Sequence, residues 1–155
     1  MNKIKSLITG TIMLLASLTA AYAGGTEINV TLTGLALRGV DPVSYFNGGA
    51  PAAGDFKITA VHDGAVYRFV SDDNKKAFEA APEKYLPQFG GYCAMGVKMG
   101  KKLDGDPALW TVVDGKLYLN VAKPIADMWR KDTTANIAAA NAKWPEIKVK
   151  DPAGL

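Results

Sequence analysis

Two Asp-Gly pairs, each set between runs of alternating apolar residues, constrain this chain more than any other feature. Asp63-Gly64 separates residues 56–62 from 65–70, and Asp114-Gly115 separates 110–113 from 116–120. A two-residue turn with Gly second closes a type I′ hairpin, because both central residues need positive φ and Gly takes it without a Cβ penalty. Both turns therefore predict antiparallel pairing. Ser71 is placed to cap a following helix, and Asp72 and Asp73 in its first turn complement the helix dipole. Its buried stripe is Ala77, Phe78, Ala81 and, after Pro82 opens a second short turn, Tyr85. Beyond the second hairpin, Ile125, Met128 and Trp129 space a helix over 122–131, and another over 133–143 ends before Pro145. The expected fold is a small single α+β domain with antiparallel β-hairpins packed against short helices. No exact internal repeat is present, although two Asp-Gly hairpins each followed by a helix hint at one.

The ends of the chain read differently. Lys3 and Lys5, an apolar run from Leu7 to Ala21, and Ala21-Tyr22-Ala23 before Gly24-Gly25 form the three parts of a secretory signal. The run is too short for a membrane span, which needs roughly 20 residues. Residues 1–23 are thus expected to be cleaved after Ala23, leaving a periplasmic or secreted domain that does not span a membrane. Residues 24–33 follow as an extended arm, 34–145 as the domain, and 146–155 as a flexible tail. Loss of Lys3 and Lys5 lowers the formal charge from +3 to +1, and the remaining basic runs are only pairs, so nucleic acid is not the expected partner.

Chemistry-bearing residues are few. The chain has one Cys and one His, which excludes an intramolecular disulfide and leaves no Cys-x-x-Cys or paired-His motif. Cys93 follows Gly90-Gly91-Tyr92, at the start of a short helix expected within 92–98, where backbone amides favour a thiolate. Two readings stand side by side: a soft-ligand or redox site, and a buried small hydrophobe. Met95 and Met99 lie two and six residues on. With Cys93 they would suit copper, and His62 would add an imidazole to a copper or zinc site. No catalytic residue is assigned, since a Cys nucleophile needs a base and only His62 is available. Glu83, Asp104 and Asp106 read as caps and solvated charges. The dense aromatics, Tyr45, Tyr67, Tyr92 and Tyr118 among them, are core or the lining of a pocket for a planar ligand.

Gly39-Val40-Asp41-Pro42-Val43-Ser44-Tyr45-Phe46, the hairpin ending Tyr67-Arg68-Phe69, Asp73-Asn74-Lys75-Lys76-Ala77-Phe78, Pro82-Glu83-Lys84-Tyr85 and Gly90-Gly91-Tyr92-Cys93-Ala94 occur in that order. Together they resemble the secreted bacterial members of the YHS domain family, over about residues 34–145. The resemblance implies a compact domain associated with heavy-metal handling. The family's usual cysteine after Asp-Pro-Val is Ser44 here, and 70–74 holds no cysteine, which leaves Cys93 as the one thiol. The expected function is a periplasmic binding domain for a metal ion (copper or zinc) or a small ligand near Cys93. The alternatives are a thiol-redox protein using Cys93 and a non-catalytic module that binds a periplasmic protein.

Overall fold

The computed structural model describes residues 27–155; the expected leader 1–23 and the start of the arm lie outside the described residues. Both hairpins form where their turns place them. β1 (Asp55–His62) pairs antiparallel with β2 (Ala65–Phe69), and β3 (Asp106–Val113) with β4 (Lys116–Asn120). Asp63 and Asp114 take φ of 47° and 50°, with Gly64 and Gly115 at 78° and 70°, the positive pair a type I′ turn requires. Among the described residues the helices are α1 (Asp72–Ala80), α2 (Pro82–Tyr85), α3 (Ala94–Lys98), α4 (Lys123–Lys131) and α5 (Thr133–Ile147). The chain is an α+β domain. Ser71 caps α1 by accepting the Asn74 N–H at 3.1 Å, and Pro82 opens α2.

The hint of a repeat becomes a structural duplication. β1 and β3 start 51 residues apart and carry the same irregularity, between Asp55 and Thr59 in one and Asp106 and Trp110 in the other. Upstream, Leu37, Arg38 and Gly39 take φ of 51°, 49° and 84°, and Phe89, Gly90 and Gly91 repeat this at 56°, 61° and 83°. The residue two before each left-handed run bridges to its hairpin, Leu35 to Val66 in the first copy and Pro87 to Leu117 in the second. Tyr67 against Phe78 (5.0 Å between ring centroids) recurs as Tyr118 against Trp129 (5.4 Å). On this register Asp41 and Cys93 occupy the same place.

The core has two parts that share β4. Leu117 and Leu119 join Tyr67, Phe69 and Phe78 of the first copy, whereas Tyr118 packs with Trp129, Cys93 and Val97. Alternation along the strand sends successive side chains to opposite faces, so β4 is buried on both. Tyr45 ties the copies together: its hydroxyl donates to the Pro107 carbonyl at 2.9 Å and its ring meets Trp110 edge-on.

Three expectations change. α5 runs through Pro145 to Ile147, because proline's fixed φ is helical and Trp144 and Ile147 anchor the last turn in the core. Residues 146–155, expected to be flexible, are held by Lys102. Only 4% exposed, Lys102 donates from Nζ to the carbonyls of Lys148 (2.9 Å) and Lys150 (2.7 Å) and lies over the Tyr92 ring. The described part of the arm does not trail: the Asn29 N–H donates to the Gly90 carbonyl at 2.8 Å. Gly90 has to be Gly, since a Cβ there would stand 1.8 Å from the Glu27 carbonyl oxygen. Of the residues whose spacing marks α4, Trp129 is buried with Ala126 beside it, and Met128 is half exposed.

Candidate functional site

Cys93 is fully buried at the N-cap of α3. Its Sγ accepts the Gly96 N–H at 3.4 Å and donates to Asn120 Oδ1 at 3.7 Å, and the same oxygen accepts the Met95 N–H at 3.4 Å. Both groups facing that oxygen are donors, which sets the amide's orientation. The thiol is therefore partnered on both sides. In the first copy the matching position is Asp41, also fully buried. Its Oδ1 accepts the Val43 N–H at 2.7 Å, and its Oδ2 accepts the Val70 N–H at 2.8 Å and Asn74 Nδ2 at 2.7 Å. Cys93 and Asp41 each satisfy amides that open the following turn.

The other residues expected at a metal site are dispersed. Met95 is buried beside Cys93 in the second core cluster, but Met99 is 72% exposed. His62 ends β1 with its ring edge-on to Phe78, and its Nε2 stands 3.5 Å from Asp63 and 3.8 Å from Glu83. Neither contact is a hydrogen bond, and Nε2 is buried without a hydrogen-bond partner among the described residues. Among the described residues no group of three or more His, Cys, Asp or Glu converges as metal ligands. A copper or zinc ion needs several converging donors, and a partnered thiol with one neighbouring thioether does not fit it.

A different place has the features of a ligand site. The turn between β1 and β2, α2, the segment after it and α5 enclose a groove of about 280 Å³. Asp63, Tyr67, Glu83, Gln88, Phe89 and Trp144 line it, with Glu27 at its edge. Tyr67 is 1% exposed, and among the described residues no hydrogen bond reaches its hydroxyl. The oxygen itself is not sealed off: it stays open to the groove, where solvent or a ligand atom can meet it. Burial, with the Asp63 and Glu83 carboxylates nearby, pushes its phenol well above the usual range. Near neutral pH the group is a phenol able both to donate and to accept. A smaller cleft of about 60 Å³, lined by residues 28–31 and also by Tyr67, has room for a few waters at most.

Sequence reasoning placed Tyr67 among the aromatics and Glu83 among solvated charges, without joining them. The alternation of β2 does turn Tyr67 inward. The return of α2 and the arrival of Trp144, 77 residues beyond Tyr67, have no local signature. Comparison of the chain with protein-family models, curated proteins and solved structures returns no match.

Proposed function

We propose that this chain is an exported, non-catalytic binding domain of YHS-like type that takes a small ligand in the groove floored by Tyr67, while Cys93 caps α3. The observation that carries the reading is the Tyr67 hydroxyl, which has no partner among the described residues and opens from an otherwise buried side chain onto a groove with aromatic and polar walls. The environment of Cys93 supports the structural half. A fully buried thiol that accepts an amide and donates to an amide oxygen has neither an approach path nor a base beside it, both of which nucleophilic and redox chemistry need.

The test is a nuclear magnetic resonance titration of the protein recovered from the periplasm of a secreting host, using small aromatic compounds that are cationic, neutral or anionic. At least one is expected to move the Gln88, Phe89 and Trp144 signals, and Tyr67→Phe to weaken it. Shifts confined to residues around Cys93, or none at any compound, would overturn the groove reading. An N-terminus other than Gly24 would remove the export signal as assigned.

A further inference from the structure

The inference rests on the groove reading and names the ligand's class. We infer that the groove takes a small organic cation, an ammonium carried on a flat apolar body. The polar lining is one-signed: Asp63, Glu83 and Glu27 contribute carboxylates, and no Lys or Arg is among the lining residues. Two cations approach the rim, and both are engaged. Lys148 stands 3.8 Å from Glu27, and Lys102, 5.9 Å from the Trp144 ring centroid, is held by two backbone carbonyls. Asp63 and Glu83 have only the His62 imidazole, in contacts that are not hydrogen bonds.

Tyr67 makes the acidic cluster a site. Its phenolic oxygen, without a hydrogen bond among the described residues, has lone pairs to accept from an N⁺–H. An anion entering here would meet three carboxylates. A neutral molecule would leave their charge unused, so the charge of the lining selects for a cation. The apolar half of the ligand follows from the walls. Trp144, half-buried and edge-on to the buried Phe89 with centroids 5.8 Å apart, offers π surface to a planar body or to the cation itself. A groove of about 280 Å³ sits at the small end of ligand pockets, which limits the occupant to roughly one ring with its amine. A bare metal ion fits poorly: the carboxylates do not converge as ligands, and the aromatic walls would contribute nothing to it.

The experiment compares benzylamine, benzyl alcohol and benzoate, which share a ring and differ in charge, with the Trp144 indole signal as readout. Benzylamine is expected to bind more tightly than either of the others by about tenfold, the ratio that corresponds to 1.4 kcal/mol. The double variant Asp63→Asn, Glu83→Gln is expected to erase that preference and leave benzyl alcohol unaffected. Both side chains are largely exposed, so the variant keeps the fold, which an unchanged melting temperature verifies. Equal or tighter binding of benzyl alcohol or benzoate would overturn the cation assignment and leave the groove standing. Displacement of benzylamine by millimolar calcium with the indole signal reverting would assign the charge site to an inorganic ion and overturn it as well. Silence from all three probes would remove both the inference and the groove reading.

Discussion

Replacing Asp41 with Ala is expected to cost far more than replacing Cys93 with Ala, although the two residues hold the same place in the two copies and both are fully buried. The difference lies in what each side chain satisfies. Asp41 accepts three donors at 2.7–2.8 Å, one of them, the Val43 N–H, in a fully buried bond and two in partly buried ones. Stranding a buried donor costs about 1–3 kcal/mol and a partly buried one less, because water reaches it. Allowing about 2 kcal/mol for the first and about 1 kcal/mol for each of the others gives about 4 kcal/mol. Cys93→Ala strands one amide whose bond to sulfur is already 3.4 Å long, and removes one buried atom, about 1.5 kcal/mol in all. Domains of this size hold about 5–15 kcal/mol in total, so the first variant sits near its unfolding limit while the second does not. Urea denaturation monitored by circular dichroism reads both from the shift in midpoint at constant slope. A loss in Asp41→Ala no larger than in Cys93→Ala would show that the carboxylate's own burial cost cancels its bonds, and the capping argument would fail.

Two tyrosines should respond unequally to loss of the hydroxyl. Tyr45→Phe removes a 2.9 Å bond to Pro107 and is expected to cost about 1–2 kcal/mol in thermal melts, while Tyr67→Phe, which removes no internal bond, should stay within about 0.5 kcal/mol; equal losses would contradict the assignment. Gly90→Ala should detach the segment at Glu27, read as loss of amide-exchange protection at Asn29, since the added Cβ meets backbone that cannot give way. Alkaline pH should unfold the domain. Burial raises the phenols of Tyr45, Tyr67, Tyr92 and Tyr118 above 10.0, so the unfolded chain releases these protons first and stability falls as pH rises from about 10. Lys102, lowered by burial, acts in the opposite sense over the same range as one group against four. A denaturation midpoint that holds steady from pH 9 to 11 would contradict the phenol burial.

What the sequence disclosed was local in origin. Asp63-Gly64, Asp114-Gly115, Ser71 and Pro82 each act through backbone within a few residues, and each formed the element its chemistry specifies. The position of Cys93 at a helix start was legible for the same reason. Its burial was not, because Asn120 comes from another element 27 residues away. The left-handed runs at Leu37-Arg38-Gly39 and Phe89-Gly90-Gly91 escaped notice because Leu, Arg and Phe rarely adopt positive φ unless tertiary contacts impose it. The tail depended on Lys102, whose ammonium finds its carbonyls 46 and 48 residues on. Residues that meet only through the fold, as Tyr67 meets Trp144 across the groove, leave no spacing to read.

Carrying two copies of one scaffold in a single chain has a consequence that two separate chains would not share. A homodimer built from one copy would hold every residue twice, so a carboxylate cap, a thiol cap or a histidine beside the turn would appear on both sides or on neither. Joined covalently, the copies are free to diverge: Asp41 faces Cys93 across the duplication, His62 faces Val113, and a one-turn α2 faces the four-turn α5. The groove lies in the copy that carries a histidine and acids around its tyrosine, and the other copy supplies the wall with Phe89 and Trp144.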